Sequence, residues 1–444
     1  MGLSVRYHEI NSRSKVSAAS NVLHGNFYTL SGIVYPWSSP IPLVFVEGNG
    51  SEMGTQFTKA TKNLTKKNIL FNLPIVERIL RRSRIKNSDY VAEIEEGIRK
   101  YTTSEFLDEI QSIANITELP YESVVLVNAN VDITSMSAGL PEDSFSCSTF
   151  AAWGKATRNH IAIAGHNDDG NRVMDQYAVL KIARPKHGHA FMCPQVPGYL
   201  AYDCMVNANQ VFVCGTAVDN KMKKSEAIRE GPPNWALYRW LGQFSSSASD
   251  AAQRLISVKS MTLKNWCFVS REGGKVVEAT PKHYSFMKFP SISGDWYGIS
   301  TCVVCASIKR HVVQSKEPTS GVHRMASIAR EVKNRYGTIT PESAIDIMSS
   351  HYDSLRKRRM PSEHTPCRHM EFEGKLAGTC RCITASFDGG TDGQETRTRI
   401  DVSLGNPCNG YWRRLYFDES FNLKAGYDKD DKFELELSKI PIII

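Results

Sequence analysis

The hydrophobic period of this 444-residue chain changes once, across the polar stretch SAGLPEDSFS at residues 137–146, and that switch constrains the fold more than any other feature. Before it the spacing is helical: Ile69, Leu70, Leu73, Ile75, Ile79 and Leu80 form one buried stripe, and Ile94, Ile98, Tyr101, Phe106, Ile110 and Ile113 form another. Pro74 predicts a break of the first run into two helices, and Pro120 predicts the start of a further helix. Ahead of these, Ile33 to Phe45 reads as a strand broken at Pro40-Ile-Pro42. After the switch come short alternating runs, CSTFAAWG, HIAIAGHN, QYAVLKIA, HAFMCPQV, GYLAYDCMVN and QVFVCGTAV, each closed by Gly, Pro or polar residues. NWALYRWLGQF and AAQRLISV read as helices, and a hairpin turns at Gly273-Gly274. Helices are predicted over 323–336 and 341–355, and the last section returns to strands. A chain that is first helical and then alternating predicts an α+β fold of packed helix and sheet layers.

Composition narrows the class. Hydrophobic residues at 41% and charged residues at 23% exclude a disordered chain or a fibre. No window reaches the roughly 18 apolar residues that a membrane helix needs, so no membrane partner is expected. The net charge is +8, but clusters such as Arg356, Lys357, Arg358 and Arg359 lack interleaved aromatics, so no nucleic-acid partner is expected. Eleven cysteines, an odd count without a secretory leader, predict reduced thiols and a cytoplasmic protein.

One of those cysteines stands where chemistry can act. Cys147 opens a strand directly after the exposed polar loop. Were the Ser146–Cys147 bond cut, its α-amino group, with an unperturbed pKa near 8, would be a general base beside its own thiol. The alternative is a buried small hydrophobe, as cysteines usually are.

CSTFAAWG, followed by Ile161-Ala-Ile-Ala-Gly-His-Asn167-Asp-Asp169, resembles the start of the mature chain in the autoproteolytic acyltransferase/hydrolase family, peptidase family C45. This is the isopenicillin N acyltransferase-like branch of the N-terminal nucleophile (Ntn) hydrolases. Further stretches fall in the family's order between about residues 45 and 417: Gly48-Asn-Gly-Ser-Glu-Met-Gly54, Asn265-Trp-Cys-Phe-Val, His351-Tyr-Asp353, Pro366-Cys-Arg368-His369 and Gly405-Asn-Pro-Cys408. The resemblance implies a four-layer αββα sandwich, made as a precursor with a helical propeptide at 1–146 and a catalytic subunit at 147–444. It implies Cys147 as nucleophile, Asp169 orienting or assisting the new amine, Asn265 in the oxyanion hole, and Arg368 holding a substrate carboxylate or the Asp169 charge. Processing at Ser146–Cys147 would leave the propeptide fragment as a partner. The substrate would be a small-molecule linear amide or acyl thioester, hydrolysed or transferred through an acyl-cysteine, with no cofactor. Ser146 departs from the family's usual Gly at the scissile position, and Asp168 stands where an aromatic or apolar residue is more usual.

Two other classes stay open on the residues alone: an unprocessed thiol hydrolase with a His base, and a non-catalytic small-molecule-binding protein on the same frame. Cys302-x-x-Cys305 with Cys380-x-Cys382 invites a zinc reading, but both lie in apolar alternating runs and read as buried strand cysteines, so no metal is expected.

Overall fold

The structure is a computed structural model that describes residues 43–136, 146–171, 178–201, 203–218, 220–226, 230–289, 294–372, 375–388, 398–408, 411–418 and 420–424. Residues 137–145 of the loop expected at 137–146 and most of the expected strand at 33–45 lie outside these residues, and Ser146, the last residue of that expected loop, opens a strand instead.

Two eight-stranded sheets carry the fold. The first runs, in spatial order, through Leu43–Gly48, Val179–Pro185, Phe191–Gln195, Cys204–Asn207, Phe212–Ala217, Lys264–Ser270, Gly273–Ala279 and Tyr284–Phe286. The second runs through Trp296–Ser300, Ser146–Ala152, Ala162–Asn171, Lys375–Phe387, Thr398–Leu404, Tyr411–Phe417 and Leu423–Lys424, with His369–Phe372 pairing to Lys375–Phe387. Between the sheets, Ala151, Ala164, Ile383 and Val402 of the second meet Leu180, Ile182, Met192 and Cys267 of the first. On the outer face of the first sheet, Val44, Val179 and Phe268 pack on Phe57, Leu237 and Leu255 of three helices. On the outer face of the second, Phe150 and Ile163 pack on Ile328, Val332 and Ile347 of the helices Ser320–Asn334 and Pro341–Met348. The order is helix, sheet, sheet, helix: an αββα sandwich. Strand alternation requires it, because each sheet has apolar residues on both faces and each face needs a cover.

The helical first third differs in detail from its sequence reading. Gly50–Arg82 is one helix with Pro74 inside it, and its kink falls at Thr61, where φ is −123° and ψ 17°. Thr61 and Thr65 are buried there and hydrogen-bond each other at 2.9 Å, with the Thr61 hydroxyl also donating to Phe57 O at 2.8 Å. The second stripe, Ile94 to Ile113, falls on two helices, Asn87–Tyr101 and Glu105–Thr117. The helices expected over 323–336 and 341–355 are Ser320–Asn334 and Pro341–Met348.

Buried polar groups bind this helical segment to the sandwich. Glu109 lies 2.5 Å from Lys181 and 3.0 Å from Arg239, all three charges sealed from solvent. Asp132 accepts both hydrogen-bonding contacts from the Asn234 backbone N–H at 3.1 Å. Asn128 donates to Gly198 O and accepts from the Leu200 N–H. Groups this dry cost several kcal/mol each if left without partners, so the two parts are held together by more than apolar contact.

Candidate active site

The strand Ser146–Ala152 pairs antiparallel with Ala162–Asn171, which pairs antiparallel with Lys375–Phe387. The register puts Cys147 opposite Asp168 and Asp168 opposite Arg381; it puts Ser146 opposite Asp169 and Asp169 opposite Thr379. Directly paired residues project from the same face and successive ones from opposite faces. Two rows result, one on each side of the sheet.

The row facing the other sheet holds the thiol. Cys147 Sγ lies 4.0 Å from Asp168 Oδ1, and Arg381 pairs with the other oxygen of Asp168. Arg381 also reaches Asp203 at 3.7 Å. Cys147 Sγ, an Asp168 oxygen and an Asp203 oxygen lie within 4.8 Å of one another. Burial pushes the Cys147 thiol well above its ordinary range, and the Asp203 and Asp168 carboxylates push the same way. Burial likewise raises Asp203, with the Asp168 charge adding to it. The thiol in this state holds its proton. On the far side of Asp168, a cavity of about 10 Å³ lined by His166, Asp168, Pro194, Asp203, Cys204 and Arg381 among others has room for about one water.

The outward row is organised by an arginine that the sequence reading did not single out. Arg324, in the helix Ser320–Asn334, is fully buried. It donates to Asp169 Oδ2 at 2.8 Å, to Cys147 O at 2.9 Å, to Ser148 Oγ at 2.9 Å and to Thr301 Oγ1 at 2.8 Å, and it hydrogen-bonds Ser146 Oγ. It therefore holds the backbone carbonyl or side chain of both residues that flank the expected scissile bond. Asp169 Oδ1 accepts from Thr379 Oγ1 at 2.7 Å. Burial raises Asp169 to about 6, against the opposing pull of Arg324, Arg368 and Thr379. A sequence signal for Arg324 exists: with Ile328 and Glu331 it shares the buried stripe of an otherwise amphipathic helix.

The structure also brings Arg368 and Asn265 near these two rows. Arg368 is buried and its charge lowers Asp169, yet the ion pair to Asp169 is made by Arg324. The Arg368 backbone N–H donates to Thr379 Oγ1 at 2.9 Å and its carbonyl accepts from the Thr379 N–H at 3.0 Å. Asn265 faces the inter-sheet space from the first sheet. Its amide lies 2.9 Å from Ser300 O, 3.0 Å from Cys302 O and 3.1 Å from Thr216 Oγ1. Two amide hydrogens are thus already shared among three acceptors, and Asn265 can serve an oxyanion only after those contacts loosen. Ser300 Oγ also donates to Cys147 O at 2.7 Å. Cys302, Cys380 and Cys382 are buried and Cys305 is partly so.

Among the described residues no helix is long and apolar enough to cross a membrane. No family model and no curated protein matches the chain. Solved structures do: an N-acylethanolamine-hydrolyzing acid amidase (NAAA) ortholog from Caenorhabditis elegans is similar at 9% identity and a TM-score of 0.37, over 54% of this chain and 92% of that one. A mutant conjugated bile acid hydrolase from Clostridium perfringens is similar at 12% identity and a TM-score of 0.34, over 60% of this chain and 96% of that one.

Proposed function

We propose that this chain is a self-processing amide hydrolase or N-acyltransferase with Cys147 as nucleophile. The observation that carries the reading is the position of Cys147. It is the second residue of an interior strand of its sheet, its thiol is 4.0 Å from a carboxylate, and its own carbonyl is gripped by Ser300 and Arg324. Cys147 Sγ attacks the carbonyl carbon of Ser146 while Asp168 takes the thiol proton. The peptide C–N bond breaks, the proton passes to the leaving nitrogen, and a thioester forms. Water then hydrolyses that thioester, freeing the thiol and leaving a carboxylate on Ser146.

The new α-amine on Cys147 lies at the strand end where Asp169 and Arg324 flank the sheet. It is the base for the second reaction, in which the thiol attacks a linear amide or acyl thioester and carries the acyl group to water or an amine. Fragments 1–146 and 147–444 remain associated, because Glu109, Asp132 and Asn128 stay locked into the larger piece. Cys147 is buried, so small-molecule access requires that its surroundings open once the bond is cut.

Intact mass of the freshly purified protein, beside Cys147→Ala, tests this. Two masses breaking before Cys147 in the parent, and one unbroken chain in the variant, are the expected result. A variant that still splits there, or a parent that stays whole on prolonged incubation, sinks the reading.

A further inference from the structure

Three segments of the second sheet's helix-covered end, far apart in sequence, bring four metal-binding side chains together. His351 follows the helix Pro341–Met348, Cys367 and His369 enter the strand His369–Phe372, and Cys408 follows the strand Thr398–Leu404. One ligand atom from each lies within 4.8 Å of all the others. His369 Nε2 is 3.1 Å from His351 Nε2, 3.4 Å from Cys367 Sγ and 3.4 Å from Cys408 Sγ. An imidazole nitrogen has either one lone pair or one N–H, so it cannot serve three partners at those distances. An ion at the centre of the four serves all of them.

We infer that His351, Cys367, His369 and Cys408 bind a zinc ion. With zinc–sulfur bonds near 2.3 Å and zinc–nitrogen bonds near 2.0–2.1 Å, a tetrahedron has edges of about 3.3 Å between nitrogens and about 3.5 Å between nitrogen and sulfur. The three separations above fall on those edges. Two sulfurs and two imidazoles also match zinc's ligand preference, and four protein ligands close the coordination sphere, which marks a structural ion. Binding is a proton-for-metal exchange: each thiol releases its proton to water, each imidazole binds neutral, and no electron moves. The thiolate of Cys367 has support beyond the ligands, from Asn406 Nδ2 at 3.8 Å.

The ion holds a path to the candidate active site. Arg368 sits between two of the ligands. Its carbonyl accepts from Asn406 Nδ2 at 2.7 Å and from the Thr379 N–H, and the Thr379 hydroxyl donates to Asp169. Gly378, at φ +124°, lets the strands come this close, since a Cβ there would run into the Arg368 carbonyl oxygen. Zinc thus positions Arg368 and, through Thr379, Asp169, without touching a substrate. This inference does not depend on the proposed reaction.

The test is metal analysis of the full chain, purified with a non-thiol reductant in metal-free buffer. About one zinc per chain is expected, and Cys408→Ser and His351→Ala each retain less than about a tenth of it. Cys305→Ser, at a cysteine outside the cluster, keeps the full complement. Circular dichroism matching the parent shows that a variant has folded; Cys408 is exposed, so its exchange for Ser leaves the core untouched. As a measurement free of variants, cobalt(II) added to the chelator-stripped parent should give the intense visible bands of a tetrahedral ion and a near-ultraviolet thiolate-to-cobalt band. No zinc and no cobalt spectrum, equal zinc in every variant, or a Cys367–Cys408 disulfide in the non-reduced protein would each overturn the assignment.

Discussion

Asp168 and Asp169 are neighbours in sequence and opposites in the molecule. Asp168 faces the inter-sheet space, beside the Cys147 thiol and under Arg381; Asp169 faces the helical layer, paired with Arg324 and Thr379. Strand alternation alone separates them, but what each meets depends on the cover over its face. The inward carboxylate has a sulfur to act on. The outward one has fixed donors, and one of them, Arg324, also holds the residues that flank the expected cleavage. One aspartate is placed for proton transfer and the other for holding the strand end in register.

Asp168→Asn should separate the two most sharply. Removing a positioned base slows a proton-transfer step by about 10² to 10⁴-fold, so self-cleavage followed by mass over time should slow by that factor. The fold should lose little, because Arg381 keeps Asp203 as a second carboxylate within 3.7 Å. Cleavage at the parent rate would assign the thiol proton elsewhere and dissolve the contrast.

Arg324→Met should do the reverse, acting first on stability. It leaves the Asp169 carboxylate sealed without its ion-pair partner, which costs about 3–5 kcal/mol. Urea denaturation reads this directly. Arg324→Met with Asp169→Leu should recover most of the loss, because both charges leave together. A double variant no more stable than the single one would mean that Arg324 matters through Ser146, Ser148 and Cys147 rather than through Asp169.

The contrast also shows what the sequence could reveal. Alternation in CSTFAAWG, HIAIAGHN and CRCITASF marked three strands and the apolar faces between them, since period 2 is a local property. That Cys147 pairs with Asp168 and not with Asp169 depends on register, which two separated strands leave open. Arg324 escaped for a related reason: apart from Ser320 on its own helix, the partners named above lie 23 to 178 positions away, and only folding places it under Ser146. The kink falls at Thr61, where the hydroxyl bonds back to the Phe57 carbonyl one turn earlier, a side-chain contact that the apolar spacing does not report. His351, the pair Cys367 and His369, and Cys408 lie in three separate motifs, and no spacing rule joins residues 57 positions apart with several strands between them.

The smallest expected effect is a pH dependence, and it tests whether the outward carboxylate is a stabilising charge or a tolerated one. Asp169 has its pKa raised to about 6 in the folded chain by burial, against 3.8 for an ordinary aspartate. The folded state therefore binds this proton more tightly than the unfolded state does. Its contribution to stability is complete below pH 4 and is lost as the pH rises through about 6, a total of about 3 kcal/mol for a two-unit shift. Asp169→Asn keeps the shape and an oxygen for Thr379 but cannot titrate. Unfolding free energies of the two proteins, measured from pH 4 to pH 7.5 after the intrinsic slope of the other carboxylates is removed as common to both, should converge in acid, separate as the pH rises from 4 to about 6, and keep a constant gap above that. Parallel curves would mean that Arg324 fully offsets the burial of Asp169 and that the outward charge titrates as an ordinary one. A variant that loses ground to the parent as the pH rises would reverse the sign, making Asp169 a net stabilising anion and Arg324 its cause.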